Sequence, residues 1–423
     1  MILTQDTSPS DETSLRYPGW RVVLACFLMA LFLFGFGLYG HGVYLAELQR
    51  QNGWSAALIS GASTLSLLLA NIFATFTNEL VARLGPRRLV LLGMAALAAS
   101  MTLLALASTP WQLYVAFMLM SLGWIGMGTI VIAAVVSLWF VRRRGLAISL
   151  AFTGASAGGV VVTPLLVFLV ERLGFAVAML TAMAVMVAVL VPVAVAWIGL
   201  PPAAAPAEAE ADDSSQDQTS SAPGEASRAK LMGSVAFWTI SIPFALALTA
   251  QIAFIVHQIA LLEPKIGRGN AGFAVSAMTL MAIVGRLGLG MVVDRFDPRL
   301  VTAASLVSQA AALLTILQSD SVPIVLVACA VFGFSVGNLI TLPPLIIHRE
   351  FNAASFVVVM GLSNAISGTI GALGPGLVGM VRDWSGGYDA ALALCIALEL
   401  VAAVIIVQRG RLSWRPAAAE GRG

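Results

Sequence analysis

Twelve long apolar runs, separated by short polar or turn-forming segments, govern what this chain can become. They cover residues 20–45, 54–78, 89–107, 111–140, 145–170 and 175–200, then 233–261, 271–293, 300–317, 322–347, 355–381 and 388–407. A helix needs about 20 apolar residues to cross the hydrocarbon of a bilayer, and these runs have that length. In lipid, every backbone N–H and C=O must find a partner inside the protein, so such runs predict α-helices. The expected fold class is an all-α membrane protein with twelve transmembrane helices. Composition agrees: 59% of the 423 residues are hydrophobic and 10% are charged. A soluble domain carries about 25% charged residues, and its interior could not hide this much apolar surface.

Several function classes fall away. The net charge is only +2, and the basic residues sit in pairs and triplets between apolar runs. That is no footprint for nucleic acid. Cys26, Cys329 and Cys395 all lie within apolar runs and read as small core hydrophobes, not as a disulfide framework or metal cluster. The first 17 residues are polar and include Asp6, Asp11 and Glu12, and the first apolar run is too long for a signal sequence, so no cleaved leader is expected. There is no Walker loop, Gly-x-Ser-x-Gly elbow or His-Glu-x-x-His. ATP-driven transport and intramembrane hydrolysis thus have no support, and no enzymatic activity, cofactor or metal is expected.

One separator is long. Residues 201–232 are rich in Ala, Pro, Ser, Asp and Glu, the composition of a disordered linker. The expected organisation is a six-helix bundle at 1–200, a cytoplasmic linker at 201–232, and a second bundle with a short cytoplasmic tail at 233–423. With the N-terminus inside, Arg83, Arg87, Arg88, Arg142, Arg143, Arg144, Arg295, Arg299 and Arg349 fall on the cytoplasmic side, as do the basic residues of the tail. Only Arg50, Arg172, Lys265, Arg268 and Arg382 fall outside. The positive-inside rule therefore places both termini in the cytoplasm, with the plasma (bacterial inner) membrane as the expected location.

Six runs, a linker and six runs suggest duplication, and two loops bear it out. After the second run the chain reads Asn78-Glu79-Leu80-Val81-Ala82-Arg83-Leu84-Gly85-Pro86-Arg87. After the eighth it reads Gly290-Met291-Val292-Val293-Asp294-Arg295-Phe296-Asp297-Pro298-Arg299. Both resemble the major facilitator superfamily signature Gly-x-x-x-Asp-Arg-x-Gly-Arg, found between spans two and three and often echoed between spans eight and nine. Gly290 and Asp294 keep the pattern; Asn78 and Ala82 depart from it. A carboxylate at such a helix end caps the neighbouring helix and pairs with Arg, which latches the cytoplasmic side. With Ala82 in place, that task is expected to pass to Glu79 or to the second copy. Arg83, Arg87, Gly290, Asp294, Arg295 and Arg299 are the gating residues this resemblance implies. It also implies two pseudo-symmetric bundles that rock around a cavity at the midplane.

A narrower likeness lies at Trp139-Phe140-Val141-Arg142-Arg143-Arg144-Gly145-Leu146-Ala147, which leads to Gly154, Gly158 and Gly159. With Gly19-Trp20 before the first span, this resembles the monocarboxylate transporter family and the related oxalate/formate antiporter group. The glycines are expected to form a small-residue face that lets helices approach closely.

An ionisable residue at membrane depth is a functional candidate by default. Arg286 lies well inside the eighth run, and its planar guanidinium matches a carboxylate with two donors. In monocarboxylate transporters a span-eight Arg binds the substrate anion, a role the resemblance carries to Arg286. Where that family often has an Asp one turn earlier, this chain has Ala282. Its span-one Lys has no counterpart either, which leaves Tyr39 or His41 to stand in. His41 and His257 lie in spans one and seven, which are symmetry partners. Either can take a co-transported proton, or His41 is simply a satisfied histidine near the outer end of its span. Glu399 in span twelve is a further proton-coupling candidate or an interhelical group, and Asn338 is the best candidate for an amide lining the cavity. The expected function is secondary active transport of a small organic anion, a monocarboxylate, by a monomer that uses protons as the coupling ion. A proton-driven exporter of hydrophobic compounds, which would not need Arg286, and a non-transporting sensor or scaffold stay open as alternatives.

Overall fold

The computed structural model describes residues 17–199, 231–292, 295–339 and 341–408, together with Glu12 and Ser14. Nearly all of the expected linker, Asp294 and the basic tail lie outside the described residues. Among those described, twelve helices are long and apolar enough to cross a membrane, as the runs predict. Spans one to six are Gly19–Tyr39, Ala56–Ala74, Pro86–Ala105, Pro110–Ser137, Arg144–Leu173 and Phe175–Trp197. Spans seven to twelve are Val235–Ile266, Arg268–Leu289, Pro298–Gln318, Val322–Glu350, Ser355–Ser385 and Asp389–Val407.

Local chemistry starts these helices. Ser55 Oγ accepts from Leu58 N (3.2 Å), Asp297 Oδ1 from Arg299 N (3.0 Å) and Asn352 Oδ1 from Ser355 N (2.9 Å). Each satisfies an amide that has no partner in the first turn. Pro86, Pro110 and Pro298 sit in first turns, where a missing N–H costs nothing. Gly85 takes φ 75°, a left-handed conformation that explains a glycine in the turn between spans two and three.

The helices are interrupted where glycine and proline are dense. Span one ends in a π-turn at Gly35–Tyr39 and continues as a helix over His41–Asn52, seven residues beyond the apolar run. Span five holds a second π-turn at Gly158–Val162, and a Cβ on Gly35 would meet Val162 at 2.7 Å, so the two turns touch. Span four breaks at the extended Gly128, and span ten restarts at Leu342 ahead of Pro343 and Pro344.

The chain forms two compact units. One contains residues 1–207 and 255–280, the other 208–254 and 281–423. The division therefore runs through spans seven and eight. Within the first unit, span three packs on spans four and six; within the second, span nine packs on spans ten and twelve. The same repeat governs the closest crossings. A Cβ on Gly154 in span five would lie 2.1 Å from the Phe27 carbonyl oxygen of span one. On Gly374 in span eleven it would lie 2.2 Å from the Thr249 oxygen of span seven. Only glycine admits backbones this close.

Candidate functional site

Arg286 and Asn338 start from two helices in backbone contact. A Cβ on Gly285 would come within 2.0 Å of the Phe334 oxygen, and one on Gly337 within 2.0 Å of the Ala282 oxygen. Spans eight and ten are thus pressed together by glycines that immediately precede the two polar residues. The antiparallel register sets Arg286 and Asn338 about 8 Å apart along the helices. Arg286 is half-buried and Asn338 is buried, its Nδ2 donating to Ser305 Oγ at 3.5 Å. Ala282 is itself packed, 6% exposed. Guanidinium, amide and hydroxyl make this a donor-rich corner in apolar surroundings, a setting that suits an oxyanion.

The histidines lie in the first unit. His41 is buried, with Nε2 3.1 Å from Met120 Sδ and the rings of Phe117 and Tyr44 at 5.0 and 6.0 Å. That is a packed aromatic box. His257 is buried in span seven. The helices carrying the two histidines meet, since a Cβ on Gly42 would lie 3.1 Å from Ile259 and 3.4 Å from the Val256 oxygen. Tyr39 is half-buried in the π-turn. Glu399 is fully buried in the second unit, and neither carboxylate oxygen has a hydrogen-bond partner among the described residues. A cavity of about 180 Å³ opens between spans two and four at the Gly128 break, lined by Asn71, Thr77, Trp124 and Thr129.

The duplicated loops differ in strength. Arg83 pairs with Glu79 on an exposed helix face, so Glu79 does take over where Ala82 replaces the signature Asp. Arg87 Nε donates to the Ile198 oxygen at 2.6 Å. In the second copy Arg299 is 2% exposed and holds Glu350 through two hydrogen bonds. It also donates to the Ile406 oxygen at 2.9 Å and to Thr239 Oγ1 at 3.1 Å. Ile198 and Ile406 close spans six and twelve, so the two arginines repeat one contact. Arg295 is exposed, and Gly290 continues the helix of span eight.

Sequence reasoning missed three carboxylates. Glu350 is visible only as part of a charged helix end. Glu47, fully buried, meets Arg50, Gln51 and Arg268, and no spacing signals the last of these. Glu12 accepts from the amides of Val141 (3.0 Å), Arg142 (3.4 Å) and Arg143 (2.9 Å), while Tyr17 donates to the Trp139 oxygen. The start of the chain is thereby fastened to the Trp139–Arg144 loop. Slight burial pushes the Glu12 carboxyl up, but the three amides and the Arg142 charge outweigh it and hold it below the usual range.

Residues 27–263 match the sequence model of the family described as Major Facilitator Superfamily. The chain is 25% identical to monocarboxylate transporter 13 of Rattus norvegicus over 396 residues, covering 92% of this chain and 88% of the relative. It is 26% identical to monocarboxylate transporter 11 of Mus musculus over 374 residues, covering 82% and 77%. Its fold resembles that of a bacterial homolog of the human lysosomal transporter Spinster, with a TM-score of 0.71 at 15% identity over 96% of this chain and 100% of the other. It likewise resembles the nucleoside transporter NupG, with a TM-score of 0.68 at 14% identity over 92% and 97%. Identities this low make the structural likeness a likeness of fold alone.

Proposed function

This chain belongs to the Major Facilitator Superfamily, and we propose that it carries a small monocarboxylate across the membrane by alternating access, coupled to protons. The single observation that carries the reading is the guanidinium of Arg286, held inside span eight next to the glycine crossing with span ten. A charge at that depth is costly unless something uses it. A carboxylate accepting two charge-assisted hydrogen bonds offsets that cost by about 1.5–3 kcal/mol per bond. Asn338 and Ser305 extend the donor set. The full-length similarity to proteins named monocarboxylate transporters supports the substrate class. His257 is the leading proton carrier in this reading, with Glu399 as the second and His41 demoted by its apolar box. The substrate's carboxylate meets Arg286, and Tyr39 supplies a hydroxyl from the π-turn of span one.

The test is binding and uptake of lactate-sized acids by purified protein in liposomes. Arg286→Lys keeps the charge and loses the planar fork, so affinity is expected to fall roughly tenfold to a few hundredfold. Arg286→Gln is expected to abolish carboxylate binding. Unchanged affinity in a folded Arg286→Gln protein sinks the assignment.

A further inference from the structure

Arg268 is the first residue of span eight, and Glu47 belongs to the His41–Asn52 helix that extends span one. They come from different sequence halves, yet they lie in the same compact unit and form an ion pair. The Glu47 side chain is 0% exposed and that of Arg268 13%. Arg50 Nη2 holds the other Glu47 oxygen at 2.5 Å, Gln51 donates to it at 3.3 Å, and Glu263 stands 3.7 Å from Arg268 Nε. Below the pair, spans seven and eight are sealed against spans one and five. Gly42 lies against Ile259, Gly272 against Val167, and Ser276 Oγ donates to the Val160 oxygen at 2.9 Å.

We propose that the Glu47–Arg268 pair is a latch that holds the end of the transporter remote from the Arg83–Arg87 loop closed. Opening at that end requires the pair to break, and its neutralisation shifts the population toward the open state. A buried pair suits this task, because removing either partner strands a desolvated charge whose cheapest escape is exposure to water. The inference rests on the alternating-access reading and adds to it a residue-level control of one gate.

Ile259, 1% exposed behind the latch, reports its state. The probe is a membrane-impermeant maleimide applied to Ile259→Cys in liposomes, with Cys26, Cys329 and Cys395 replaced by Ala. Labelling is expected to be slow with the latch intact and about tenfold or more faster with Glu47→Gln or Arg268→Gln. Arg268→Lys, which keeps the charge, is expected to stay near the parent rate. Parent rates in both neutral variants overturn the latch. Where a neutral variant does not fold, Glu47→Asp keeps the charge but shortens its reach; faster labelling supports the proposal and an unchanged rate overturns it. Labelling needs no substrate. A faster rate with no lactate uptake keeps the latch and removes the carboxylate reading, whereas an unchanged rate with normal uptake removes the latch alone.

Discussion

Arg299 and Glu350 face each other as a two-toothed ion pair, with Nε to Oε1 at 2.5 Å and Nη2 to Oε2 at 2.7 Å across 51 residues of chain. The guanidinium also reaches the Ile406 carbonyl, so one side chain fastens the starts and ends of three spans. Arg87 makes the same carbonyl contact to Ile198 without a carboxylate printed for it. The second half thus carries the stronger cytoplasmic clasp of the two. Glu350→Gln leaves a nearly buried guanidinium half-paired and is expected to cost about 3 kcal/mol, read as a fall in thermal unfolding temperature in detergent. Arg83→Gln, which removes an exposed pair, is expected to cost under about 1 kcal/mol. Equal effects in the two variants would contradict this ordering.

The glycine crossings make a steric prediction. Gly154→Leu and Gly285→Leu place side chains into carbonyl oxygens of spans one and ten, so both are expected to prevent stable folding. Gly145→Ala meets nothing within 4 Å and removes a flexible residue from the first turn of span five, a gain of up to about 1 kcal/mol. Membrane yield and unfolding temperature separate the two classes.

Docking of the N-terminal segment should depend on acid. The folded-state pKa of Glu12 lies below its unfolded value of 4.5. The contribution is therefore fully present above the unfolded pKa and is lost as the pH falls through the lower, folded one. At neutral pH, Glu12→Gln is expected to speed amide exchange at Val141–Arg143 and proteolysis before Tyr17. In the parent, the same loosening appears only in acid below the ordinary carboxylate range. Equal exchange in both proteins at pH 7 would remove the carboxylate from this contact.

Proton coupling is tested at the buried histidine of span seven. His257→Gln is expected to abolish uphill uptake driven by a pH gradient while sparing counterflow exchange. His41→Gln is expected to leave accumulation in place and lower thermal stability, because its ring fills an aromatic box. Normal gradient-driven accumulation with His257→Gln moves the role to Glu399.

Orientation is tested by tags. Cysteines at Gln51, Gly174 and Arg382 are expected to label from outside in sealed, right-side-out cells. A tag at Ser215, in the linker outside the described residues, is expected to stay unlabelled. Outside labelling at Ser215 reverses the topology.

The number and order of spans could be read from the amino-acid sequence alone, because lipid imposes a length on every apolar run and a helix on every backbone that crosses it. The duplicated loops announced the family, and Gly154 and Gly158 announced a close helix crossing, since only a missing side chain permits backbone contact. Arg286, His257 and Glu399 stood out for the same reason: a charge or imidazole among Leu, Val and Ala is costly enough to be conspicuous. Ion-pair partners were another matter. Glu47 with Arg268, Arg299 with Glu350, and Glu12 with the amides of 141–143 join residues whose sequence separation carries no periodicity. Charged residues at helix ends look alike until the helices are packed, so only the tertiary structure chose which of them met. It also decided that the compact units divide within spans seven and eight, because contacts made by 255–280 outweigh the chain connection at the linker.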